Sequence, residues 1–341
     1  MNVPDASSDG TDRGRLAARS GWPAWAGGGR ERARYLLAVS RPRFWFYLAG
    51  PVLVGLAWGA PDLGSVLTPV TIALFAYFLV PANVFLYGLN DYFDRDLDRL
   101  NPKKVGPGES PTGVSAPESG RGDGAIVVRS DGECAATPDR VPEVQYRGDR
   151  VVPAMVAIAA GIAVGFAWLL PGVALAWIGI FLVLGTAYSA PPVRLKTVPV
   201  LDSVSNGLYL APGAAAYAAV AGVNPPLAAI VGGWLWAMGM HTYSAIPDIA
   251  PDRAAGIATT ATVLGPRRTL AYCGACWILA AGSFGWIHPA LALAFLPYPI
   301  LVAVVALREL DVERVYWWFP ALNTLAGAAL TIGGLWVIAG G

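Results

Sequence analysis

Long apolar runs alternate with short polar connections along this chain. They lie at roughly 43–60, 68–90, 151–170, 172–190, 200–221, 226–246, 268–287, 289–307 and 318–339. Each is close to the length of about 20 residues that a helix needs to cross hydrocarbon. The pattern predicts an all-α integral membrane protein with nine transmembrane helices. Two stretches interrupt it. Residues 1–38 are polar, basic and rich in Gly, Ser and Asp, and are expected to be a disordered tail. Residues 105–145 lack any helical period and read as a flexible loop, with one short β-like run over 125–128. The remainder, 39–341, reads as one domain. Residues 1–40 contain no apolar signal-peptide core, so the first span is expected both to target and to anchor the chain.

Composition agrees with a bilayer setting. Apolar residues make up 55% and charged residues 14%, with mean hydropathy +0.50, which excludes an ordinary soluble domain. Charge placement then orients the spans. With a cytoplasmic N-terminus and nine crossings, all 24 Lys and Arg fall on the inner side, 8 of them on the tail and 9 between the second and third spans. This is the positive-inside bias in its strongest form. It also accounts for the basic residues without nucleic acid; contact with anionic lipid suffices. Cys273 and Cys276 form a C-x-x-C inside an apolar span, where small packing residues are the simpler reading than a redox pair.

Against this background, two acidic clusters stand out at the cytoplasmic ends of spans. Asn90, Asp94 and Asp98 follow one another at i, i+4 and i+8, so each lies one turn on and about 40° round the helix. Asn83 and Tyr87 continue that side into the membrane, and Asp91 adjoins it. Asp248 and Asp252 repeat the i, i+4 spacing after the sixth span, among Pro247 and Pro251, which kink or unwind a helix. Carboxylates beside a bilayer are costly and usually functional. Three hard oxygens on one helix face make a poor closed cage, but they suit Mg²⁺ that still shares its oxygens with phosphate. The bland alternative is a solvated helix end in which Arg95 and Arg99 pair with the carboxylates.

A third polar element follows the fourth span. Tyr188-Ser189-Ala190-Pro191-Pro192-Val193-Arg194-Leu195-Lys196 ends the helix with two prolines and projects Arg194 and Lys196 at the level of the acidic clusters. A guanidinium offers a bidentate fork to phosphate oxygens, and an ammonium a point charge. Arg43 before the first span and Arg253 after Asp252 are further cations of this kind, and the same residues also serve plain topology.

Taken together, N-x-x-x-D-x-x-x-D (Asn90, Asp94, Asp98), Y-S-x-P-P-x-R-x-K (Tyr188 to Lys196) and D-x-x-x-D (Asp248, Asp252) resemble the UbiA-type intramembrane prenyltransferases over roughly residues 40–340. The resemblance implies nine helices around a central cavity and paired acidic motifs holding Mg²⁺ and an allylic diphosphate. The metal ligands would be Asn90, Asp94, Asp98, Asp248 and Asp252. Arg43, Tyr188, Arg194, Lys196, Arg253, Asp91, Asn83 and Tyr87 would contact the substrate. The stretch Ser244 to Gly256, with Thr259, Thr260 and Thr262, and Ser40 to Trp45, are similar to the lycopene elongase branch. That likeness implies dimethylallyl diphosphate as donor and a terminal double bond of lycopene as acceptor. The final cation must then lose a proton or take up water; His241, two turns before Asp248, is a possible base, although a buried histidine bonded to backbone is the simpler reading. The 105–145 stretch departs from the shorter loop of such proteins. Two alternatives stay open from the residues alone: an aromatic or quinone acceptor, and a Mg²⁺ or other cation transporter.

Overall fold

A computed structural model describes residues 35, 37–98 and 150–340, with the backbone alone for 95–98. The expectations for the tail, for the 105–145 insertion with its 125–128 run, and for the Asp98 side chain lie outside the described residues. Within them the chain is helical and has no strand. The main helices are α1 (Trp45–Gly59), α2 (Pro69–Leu79), α3 (Pro81–Asp98), α4 (Val151–Gly165), α5 (Gly172–Ser189), α6 (Ala211–Ala221), α7 (Leu227–Ser244), α8 (Pro266–Ile287), α9 (Pro289–Phe295), α10 (Pro297–Arg308) and α11 (Phe319–Ile338). Among the described residues, six helical segments are long and apolar enough to cross a membrane.

Each predicted span coincides with helix, yet several are broken where proline removes a donor. The second is two helices meeting at Val80–Pro81, because Pro81 has no N–H for the ladder. Buried Asn83 repairs that break: its Nδ2 donates to the carbonyls of Phe78 at 3.0 Å and Leu79 at 2.9 Å. In a bilayer such freed carbonyls need an internal donor. The eighth span parts in the same way before Pro297, giving α9 and α10. The fifth is a short helix (Leu201–Val204), a 3₁₀ stretch (Ser205–Tyr209) and α6. Hydropathy alone smooths these breaks into continuous runs.

Close helix crossings depend on absent side chains. A Cβ on Gly55 of α1 would lie 2.0 Å from the Gly213 carbonyl oxygen on α6, and one on Gly213 would lie 2.8 Å from the Pro51 oxygen. Small residues let membrane helices approach to backbone contact, where dispersion rather than hydrophobicity holds them. Across α7 and α8, Gly239 accommodates the Trp277 indole, whose Nε1 donates to the Trp236 carbonyl at 3.2 Å. Tyr243, Trp277, Tyr298 and Phe319 cluster there, all fully buried. Cys273 and Cys276 are buried beside them as free thiols, as packing residues should be. Facing outward instead, Trp168, Trp286, Leu307 and Leu325 are each at least 70% exposed, an apolar surface suited to lipid.

Candidate active site

The last turns of α3 carry the first acidic cluster, and the Pro191–Pro192 turn brings its cations across to it. Arg194 Nη2 donates to Asp94 Oδ1 at 2.7 Å, and Lys196 Nζ binds Asp94 Oδ2. The same ammonium donates to Asn90 Oδ1 at 2.9 Å, which also accepts from Ser189 Oγ at 3.1 Å. Thus a positive charge sits between Asn90 and Asp94, two hard-oxygen donors one turn apart. That donor chemistry is what a divalent cation shared with diphosphate uses. Among the described residues, no three His, Cys, Asp or Glu side chains group closely enough to hold a metal by themselves.

One residue on, Asp91 points elsewhere and is nearly buried. It accepts from Arg41 Nη2 at 2.8 Å, and the Arg41 guanidinium also lies 4.7 Å from the centre of the Tyr87 ring. Arg41 (φ 48°) and Arg194 (φ 40°) both adopt the left-handed region just before a 3₁₀ turn. Non-glycine residues there cost of order 1–3 kcal/mol and cluster at functional sites. Each holds a different carboxylate of α3, so the acidic end of the helix is gripped twice. Arg43 is directed away from this grip: its guanidinium lies 3.9 Å over the Trp317 ring and donates to the Trp317 carbonyl at 3.3 Å.

The second cluster follows α7. Pro247 and Pro251 shorten the chain into a 3₁₀ turn (Ile246–Asp248) and a one-and-a-half-turn helix (Ile249–Ala254), leaving Asp248 exposed and Asp252 half-buried. Arg253 donates from Nε to the Thr262 carbonyl at 3.0 Å, so it ties this turn to the threonines. Thr259 and Thr262 form a reciprocal helix cap. Thr260 reaches further. Its N–H donates to Asp202 Oδ2 at 2.9 Å, its hydroxyl also binds Asp202, and it accepts from Val200 N at 2.8 Å. Asp202 went unnoticed in the sequence because a lone acid in a span edge carries no spacing signal; here it is buried and fully engaged.

Beside Asn90 lies a cavity of about 260 Å³. Asn90 and Tyr87 of α3, Tyr188 of α5, His241 and Ser244 of α7, and Arg41 line it, so residues leading into both clusters share one space. Its other walls are largely aromatic, with Phe44, Tyr47, Tyr209, Trp236 and Tyr316. Asn83 lies behind this wall, at the α2–α3 break.

A helical bundle with this cavity is characteristic of more than one membrane protein, but comparison decides the family. The UbiA prenyltransferase family model matches residues 48–328. The chain belongs to that family. A lycopene elongase/hydratase from Halobacterium salinarum is 50% identical over 309 residues, covering 90% of this chain and 99% of the relative. Another from Haloferax volcanii is 46% identical over 341 residues, covering 100% of this chain and 99% of the relative. Among solved structures, a UbiA homolog from Archaeoglobus fulgidus bound to DMAPP and Mg²⁺ superposes with TM-score 0.59 at 18% identity, covering 89% of this chain and 99% of that one. This UbiA-family chain is therefore a membrane prenyltransferase with the all-helical fold of its relatives.

Proposed function

We propose that the chain is a lycopene elongase. It transfers a dimethylallyl group from its diphosphate to a terminal double bond of lycopene, and water then captures the resulting cation. The observation that carries this reading is the doubly gripped acidic end of α3, opening on an aromatic-walled cavity. Its support is the near full-length identity to proteins named lycopene elongase/hydratase. In this reading the chain crosses the cell membrane nine times, with its N-terminus and both acidic clusters in the cytoplasm; the one-sided distribution of all 24 Lys and Arg supports it.

Asn90, Asp94, Asp98, Asp248 and Asp252 are the oxygen donors proposed for Mg²⁺, which when bound supplies charge neutralisation for the departing diphosphate. Arg194 and Lys196 add two cations on the same turn and orient the diphosphate oxygens. Because Asp94 already binds both cations, the metal would need oxygens from the second cluster and from the substrate. Arg253, bonded to Thr262, positions Asp252 rather than reaching out. Arg41, Asp91 and Tyr87 fix the direction of α3, and Arg43 closes the rim against Trp317. Asn83 sets the bend that points α3 at the site. The aromatic walls exclude water from the allylic cation, with ring contributions of up to about 2 kcal/mol each when desolvated. The lipid bilayer supplies the acceptor.

Expression in a lycopene-accumulating host, with mass analysis of the pigments, tests the proposal. Elongated carotenoids should appear with the natural chain and vanish with Asp94→Ala or Asp248→Ala. Unchanged lycopene, with the protein present in membranes and dimethylallyl diphosphate available, would refute it.

A further inference from the structure

The cavity wall holds one group that the diphosphate grip does not use. His241 lies on α7, one turn before Ser244, and borders the cavity beside Tyr188. Its Nε2 is 3.5 Å from the Tyr188 hydroxyl, and the two rings meet edge to face at 5.8 Å. Around it the wall mixes Leu208, Trp236, Ala237 and Met240 with the polar tips of Asn206, Tyr209 and Ser244, and no carboxylate lines the cavity among the described residues. The chain has two histidines, and the other, His288, is exposed between α8 and α9. His241 is thus the one imidazole in the cavity, and imidazole is the side chain best matched to accepting a proton near neutrality.

Two further features fit that task. Burial works against a charged imidazole at His241, and buried Asp202, held by Thr260, offsets part of that cost. Ser244 Oγ donates to the His241 carbonyl at 2.7 Å, fixing the last turn of α7 that carries the ring.

We infer that His241 is the base that ends the reaction, an inference that rests on the elongase reading above. Coupling of the allylic cation to the acceptor double bond forms one C–C bond and leaves a tertiary carbocation. The oxygen of a water molecule forms a C–O bond to that carbon, one of its O–H bonds breaks, and the proton passes to His241 Nε2. Where the Tyr188 hydroxyl stands between, it accepts the water proton as it delivers its own to Nε2. Tyr188 is thus a proton relay, and Asp202 offsets the charge of the imidazolium. Without the base, the protonated adduct reverts to cation and water more often than it gives up its proton, and the cation instead passes a carbon-bound proton to water or to the released diphosphate, leaving an alkene.

The test is product composition, read by mass spectrometry in a lycopene-accumulating host. For the natural chain, hydroxylated elongated products are expected. His241→Phe and His241→Asn should keep dimethylallyl transfer within about threefold. The ratio of hydroxylated to dehydrated product should fall by about a hundredfold, the low end of a general-base contribution. Tyr188→Phe should move the ratio the same way by less. His241→Asn carries the test if the Phe variant fails to reach the membrane. An unchanged ratio in either variant overturns the inference. So does loss of transfer in a variant that accumulates in membranes, which would put His241 before the cation. A natural chain that elongates lycopene without hydroxylating it also overturns this inference alone, whereas untouched lycopene defeats the elongase reading as well.

Discussion

Lys196 Nζ lies 2.9 Å from Asn90 Oδ1 and also binds the Asp94 carboxylate. The ammonium therefore stands among the oxygens proposed for the metal, and the two cations compete for them. Lys196→Met should lower the Mg²⁺ concentration needed for half-maximal activity, since a like charge is removed from the donors. It should also cut the maximal rate by about 10²-fold, the usual cost of losing one charge-stabilising donor. Rate against Mg²⁺ concentration measures both. A variant that needs more Mg²⁺ would show that the sites are not shared.

Arg41 and Asp91 join the start of α1 to the middle of α3 through a partly buried ion pair at 2.8 Å. Removing one partner leaves the other's charge in a poorly solvated place. Arg41→Ala and Asp91→Asn should each lower the thermal midpoint in detergent. The double variant should cost less than the two together, with a coupling of about 1–3 kcal/mol. Additive effects would mean the pair carries no net interaction.

Gly55 and Gly213 bring α1 and α6 to backbone contact. Gly55→Leu should prevent accumulation in membranes, because a Cβ 2.0 Å from a carbonyl oxygen forces the helices apart. Gly50→Ala, five residues earlier and with open space around its Cβ position, should be tolerated. Equal membrane levels of the two proteins would contradict the close crossing.

Thr260 supplies two bonds to Asp202 and accepts one from Val200, a β-branched residue at φ 72°. Thr260→Val removes the hydroxyl and should cost about 1–3 kcal/mol through partners left unsatisfied in the interior. Thr260→Ser keeps the hydroxyl and should cost clearly less. Thermal unfolding of both variants reads the difference.

Much of this was legible before any coordinates. Hydropathy located the main helices of the bundle, though not the short ones between the spans, and helical spacing put Asn90 and Asp94 on one face, where Lys196 touches both. What spacing could not reveal was the role of isolated residues. Asp202, Thr260 and Arg41 act across 50 or more positions of sequence, and no local period marks such partners. Asn83 looked like part of the polar stripe because it shares the helix face of Tyr87. Its work is done one turn back, on carbonyls freed by Pro81. Arg253 likewise reads as a free cation until the chain folds Thr262 under it.

The cavity has one more implication, for the order in which products appear. At about 260 Å³ it is smaller than the roughly 300–1,000 Å³ of pockets that enclose drug-sized ligands. With the donor and acceptor proposed above, it would take the five-carbon donor and one tip of the forty-carbon polyene, the rest of the acceptor staying in the lipid. The two tips of such a polyene are then served in separate visits, and the molecule must turn end for end in the bilayer between them. A time course should show the singly extended pigment rising and falling before the doubly extended one accumulates. Adding fresh acceptor part-way through should hold conversion at the half-finished stage.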